Sequence, residues 1–240
     1  MSTSFAVLKS PVGVSKAVVV LLGVTAAIDL FALWVGFEQR SLAADFVAGH
    51  LSAGAEGDAD RIDSLYSAAG VAQLCALVAT AVVFIVWFRR VRVNAEVFRP
   101  DGHSRSRGWA SWGWFVPFVN LWAPRQVAND TWDASVPEAG LIPQKHSRAV
   151  INCWWTLWLV SNVVDNVAGR MYDNAEALGE IKTATEVMML SDALDIAAVV
   201  AAIMFVRSLT RMQNEKALRG PSPERAPFGH GPTPFGHGPA

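Results

Sequence analysis

RGWASWGWFVPFVNLWAPRQVANDTW, residues 107–132, holds five of the ten tryptophans in a chain of 240 residues. No charge interrupts it over residues 109–124, yet Gly113 and Pro117 break any long helix through it. It is too short and too broken to cross a bilayer, so its surroundings decide where it sits. A helix that spans a ~30 Å hydrocarbon core needs about twenty predominantly apolar residues. Blocks of that length stand on either side of the stretch, at residues 17–37, 70–88, 150–169 and 189–208. Apolar character all round for that length marks a membrane span, not one face of a soluble helix. The expected fold class is an all-α integral membrane protein. It has four transmembrane helices and a cytoplasmic interfacial or re-entrant segment, residues 109–134, between the second and third.

Outward from those spans, the chain divides into a cytoplasmic segment (1–16), a membrane domain (17–212) and a Pro/Gly-rich tail (213–240) expected to be disordered. The tail repeats PFGHGP at residues 227–232 and 234–239, a composition that cannot bury apolar surface. The first block contains Asp29, whose insertion costs roughly 3 kcal/mol, against roughly −0.3 to −0.6 for each Val, Ile, Leu or Phe. The block has twelve of those residues, so it inserts. A cleaved signal peptide is the competing reading; the block is too long for one, and a retained anchor is preferred. The fourth span is the weakest, because Asp192 and Asp195 shorten its uncharged run.

Lysine and arginine orient the chain, since basic loops remain cytoplasmic. The two ends and the loop 89–148 carry sixteen of these residues, and the two remaining loops carry four. Both termini are therefore expected in the cytoplasm, at the plasma membrane. Cys75 and Cys153 fall at different depths, have no zinc-type spacing, and read as small packing residues.

In this frame the tryptophan stretch lies on the cytoplasmic side. Tryptophan favours the headgroup level, where its ring is in apolar surroundings and its N–H is wetted. Trp109, Trp112, Gly113, Trp114, Phe115, Pro117, Asn120, Trp122, Pro124 and Arg125 form the candidate interfacial or docking motif. Pro124 suits the first turn of a short amphipathic helix with Val127, Thr131 and Trp132 on one side. Asn120 needs a hydrogen bond, and a backbone group freed by Pro117 is its expected partner. The segment reads either as an anchoring loop or as a docking site for a lipid headgroup or a protein.

The same residues resemble the signature of an actinobacterial membrane family, domain of unknown function 4328. Its Gly-Trp-Phe-x-Pro-x-x-Asn-Leu-Trp-x-Pro pattern matches Gly113, Trp114, Phe115, Pro117, Asn120, Leu121, Trp122 and Pro124. The likeness extends over most of residues 17–210 and implies four membrane helices with the segment between the second and third. Ala123 departs from the pattern, where a basic residue is usual, with Arg125 as a substitute. The resemblance implies no activity.

A second group of residues lies within the spans. Asp29, Gln73, Asn162, Asp165, Asp192 and Asp195 all fall in the outer half of the membrane, contributed by four helices. Carboxylates gathered without cations share protons or hold a cation. The structural alternatives are interhelical glue, a cap on the fourth helix by Ser191 and Asp192, and an end to the third helix at Asp165 and Asn166. The chain has no nucleotide loop, metal constellation or catalytic grouping, so no catalytic residue, cofactor or metal is expected, and no nucleic acid as partner. The favoured reading is a non-enzymatic membrane scaffold or interaction module. Its partners are the lipid bilayer and either another membrane protein or further copies of itself. The alternative is a small proton- or cation-coupled permease that uses the aspartate layer.

Overall fold

The computed structural model describes residues 8–49, 54–136 and 147–219, all helix, turn or loop with no strand among them. Four long helices build the molecule: α1 (Val12–Ala48), α2 (Ala55–Phe98), α5 (Ala149–Asp173) and α6 (Leu178–Arg219). Between α2 and α5 lie α3 (Trp109–Trp112), a 3₁₀ turn (Val119–Leu121) and α4 (Ala123–Ser135). The long helices are ordered α2–α1–α6–α5, each packed along the next. The two outer members of that row, α2 and α5, meet through aromatic side chains.

Three of these helices, α1, α2 and α6, are long and apolar enough to cross a membrane. Their apolar side chains also point the right way for a bilayer. Val20, Val24 and Leu30 of α1, with Val71, Leu74, Leu77 and Val78 of α2, are exposed, an apolar surface that water would not tolerate. The expected ranking of the spans changes here. It is α5, not α6, that falls outside the apolar set, because Asn152, Asn162, Asp165 and Asn166 dilute its valines and tryptophans. The helices also outrun their apolar blocks at most ends. Hydropathy marks the portion suited to lipid, whereas a helix continues as long as its polar flanks keep helical hydrogen bonds.

Small residues set the closest helix approach. A Cβ on Gly36 of α1 would stand 2.8 Å from Met189 Cγ of α6, so only glycine fits without displacing that side chain.

At the end of the bundle that gathers residues 8–11, α4 and the end of α6, a buried polar network ties the chain together. Asn94 Nδ2 donates to Lys9 O and to Gln213 Oε1, and Asn94 Oδ1 accepts from Lys9 N. Gln213 Nε2 donates in turn to Val91 O and Ser135 Oγ. This corrects the boundary expected for the tail. The helix continues through residues 213–219, with Gln213 locked by bonds to two other helices, α2 and α4; the repeated PFGHGP segments lie outside the described residues. The cysteines need a correction too: Cys75 and Cys153 are both exposed and free, not packed inside.

Candidate functional site

The tryptophan stretch folds as a wedge. Gly108 opens the single turn of α3, and Gly113 closes it with its N–H on Trp109 O at 3.2 Å. A Cβ at Gly113 would come within 2.6 Å of that same oxygen, which accounts for glycine at this buried position. The turn sends Trp114 into the gap between α2 and α5. Its ring meets Phe84 and Phe88 from α2 at 5.7 and 6.0 Å, and Trp158 from α5 at 5.7 Å, all edge-on. Trp154 and Trp155 complete the contact, and Trp154 stacks on Phe205 of α6 at 4.7 Å. Edge-to-face and offset pairs of this kind contribute roughly 0.5–1.5 kcal/mol each beyond buried area.

The residues around Trp114 point the other way. Trp112, Phe115 and Phe118 are 70%, 67% and 77% exposed, and Leu121 and Trp122 are also exposed. Phe118 follows Pro117 with φ of 61°, a left-handed backbone rare for a bulky residue and costing roughly 1–3 kcal/mol. A large aromatic held outward in a strained turn is a surface feature with no packing reason of its own. Pro124 then starts α4, whose Val127, Thr131 and Trp132 are buried while Arg125 is exposed, as the amphipathic reading anticipates. Arg125 donates to Asn152 Oδ1 of α5 at 2.7 Å. Trp109 stays half-buried beneath the Arg105 guanidinium, 4.7 Å from the ring centroid.

The expected bond of Asn120 to the backbone around Pro117 is not formed. Val119 N–H occupies Pro117 O at 2.7 Å, and Asn120's own N–H occupies Val116 O at 3.0 Å. The amide of Asn120 instead lines a groove along the outward face of α5.

The second candidate site is only partly assembled as expected. Gln73 Nε2 donates to Asp29 Oδ1 at 3.1 Å and to Asp192 Oδ1 at 2.9 Å, so one amide bridges carboxyl groups from α1 and α6. Asp29 is 3% exposed, and its other oxygen, Oδ2, is buried with no hydrogen-bond donor. The helix faces beside these groups are packed: Ala69, Ala76 and Thr80 of α2 are buried, as are Ala198 and Ala202 of α6. Ser191 and Asp192 do not cap a helix, because α6 begins at Leu178, and Asp165 and Asn166 do not end α5, which runs to Asp173. Asp195 is half-buried, turned toward Ser161 of α5.

Asn162 and Asp165 depart from the layer. The buried stripe of α5 runs through Ile151, Trp154, Trp155, Ser161 and Ala168, which leaves Asn162 and Asp165 exposed beside it. Among the described residues, none of the ion pairs formed by Lys or Arg involves a carboxylate of this cluster. Nor do three His, Cys, Asp or Glu side chains gather there as metal ligands.

Sequence reasoning missed a third polar group, near the end of α2. Arg92, 2% exposed, donates to Arg105 O at 2.7 Å and pairs with Glu96, which also takes Arg107 at 2.5 Å. Burial, with the Arg92 guanidinium beside it, holds the His103 imidazole below its ordinary pKa. The basic cluster Arg89, Arg90 and Arg92 hid this, because a threading signal reads alike whether an arginine is solvated or buried.

A family model described as a domain of unknown function (DUF4328) matches residues 50–211. No curated protein and no solved structure matches the chain. The matched stretch is more than half of the chain and contains the whole aromatic wedge, together with every residue of the polar cluster except Asp29. This helical protein with membrane-type spans therefore belongs to the DUF4328 family.

Proposed function

We propose that the protein is a four-span, non-enzymatic interaction module of the plasma membrane, with both termini cytoplasmic. One observation carries this reading. The segment that pins Trp114 inside the bundle holds Trp112, Phe115, Phe118 and Trp122 outward, with Phe118 on strained backbone. Rigid aromatics displayed from a fixed loop are the kind of anchor that dominates binding energy at protein interfaces. In this reading α5 is the fourth span, its polar face acceptable because a partner covers it. The test is a photo-crosslinking residue at Phe118 in native membranes. A discrete protein adduct is the expected result, and labelling of lipid alone would contradict the proposal.

A second reading rests on the bridged carboxyl groups. A buried acid, Asp29, and a half-buried one, Asp192, joined by a neutral amide, with one oxygen lacking a donor among the described residues, form a natural seat for a shared proton. Among the described residues no third ligating side chain gathers beside them, which favours a proton over a metal cation. A proton-coupled permease would lose proton flux in proteoliposomes on Asp29→Asn. Equal flux with and without the substitution argues for simple interhelical glue.

A further inference from the structure

The outward face of α5 is polar where a lipid-facing helix should not be. Asn162, Asn166 and Arg170 stand one turn apart, with Val163 and Val167 alternating beside them, along an open groove of about 410 Å³. All five are exposed. Asn162 is mid-helix, thirteen residues past the start of α5, or ~20 Å at ~1.5 Å per residue, well away from either headgroup region.

Each asparagine satisfies only part of its amide within the fold. Asn162 Nδ2 donates to Trp158 O at 2.6 Å, and Asn166 Nδ2 donates to Asn162 O at 2.7 Å. The second N–H and the carbonyl oxygen of each side chain have no partner among the described residues. Hydrocarbon satisfies neither of these. Phospholipid esters only accept hydrogen bonds, so they cannot serve the two Oδ1 atoms. The missing complement is a surface that offers both a donor and an acceptor at the same two depths.

We propose that this surface is the α5 of a second copy of the chain. A two-fold axis along the membrane normal gives both copies the same orientation, so that Asn162 meets its own counterpart and Asn166 meets its own. An amide is self-complementary across such an axis, donating with Nδ2 and accepting with Oδ1. Val163 and Val167 of each copy then enter the groove of the other, whose floor includes Asn120 and Leu121 from the aromatic wedge. The dimer rests on the reading of α5 as a span, and it gives the interaction module its partner.

The test uses single-cysteine variants of the full chain in native membranes, with Cys75 and Cys153 replaced by alanine. Val163→Cys and Val167→Cys are expected to form disulfide-linked dimers on oxidation. Val78→Cys, exposed on α2 and not part of the groove lining, is expected to form none. Energy transfer between labelled copies diluted in liposomes is expected to show dimerisation about fifty-fold weaker in Asn162→Leu/Asn166→Leu, from four interhelical bonds of roughly 0.6 kcal/mol each. That variant should keep its helix content, since neither side chain is buried. Monomers at every protein-to-lipid ratio, equal linking at Val78→Cys, or unchanged dimerisation in the double variant would overturn the proposal. Labelling Asn174→Cys and Ser106→Cys with an impermeant reagent separates the two ideas. Opposite-side labelling without a dimer removes only the pairing, whereas same-side labelling removes the fourth span and the dimer with it.

Discussion

At the residue scale, Trp114 and Trp122 sit eight positions apart in one segment and do different work. Trp114 is surrounded by rings from α2 and α5, so Trp114→Ala leaves a cavity between those helices. It is expected to cost about 3 kcal/mol, read as a lower denaturation midpoint in detergent. Trp122 is half-exposed, and Trp122→Ala is expected to cost less than about 1 kcal/mol in the same assay. Gly113→Ala adds only a methyl group, but the nearest atom is a backbone oxygen that cannot swing aside. It is expected to destabilise by about 1–3 kcal/mol, in the range of core overpacking. His103 supplies a pH dependence. Its folded pKa lies below the unfolded value of 6.5, so the unfolded chain binds the proton more readily. The stability it confers is complete above that value and declines as pH falls through it. Melting temperatures at pH 7.5 and 5.5 should converge in His103→Gln relative to the natural chain.

Among the elements, α5 makes the sharpest test of how far hydropathy governs insertion. Isolated residues 149–173 are expected to insert poorly beside α1 in a glycosylation-mapping assay, and to improve when α6 follows, because those two helices pack along their length. Efficient insertion alone would mean that Asn162, Asp165 and Asn166 cost less than supposed. The long helices and the amphipathic start of α4 at Pro124 were legible in the sequence, since apolar block length and proline position are local signals. The meeting of Asp29, Gln73 and Asp192 was legible as a shared depth. The outward turn of Asn162 and Asp165 was not. Depth is read from residue count, but facing depends on which stripe of α5 finds a neighbour, and Trp154, Trp155, Ser161 and Ala168 took that place. The bond of Asn120 was misjudged for a related reason: nearby amides claimed both backbone oxygens, and no spacing rule reports such competition.

For the whole molecule, the basic residues predict sidedness. Cysteines introduced at Ser67 and Ser106, both exposed, are expected to react from opposite faces of intact cells, Ser67 from outside. Reaction of Ser106 from outside would invert the threading. The polar network at the end of the bundle that gathers residues 8–11 bears on how the protein is made. Gln213 lies near the end of the last helix, yet it supplies the bonds that Asn94 of α2 and Ser135 of α4 use to hold together. A nascent chain emerges from the ribosome in order, so α1, α2 and α4 are all present before their shared partner has been synthesised. In that interval the amide of Asn94 and the carbonyl of Val91 lack the buried partner that completes them. That end of the bundle therefore closes after translation has passed residue 213, and a chain stopped at residue 208 would display the same surface permanently to the membrane quality-control proteases.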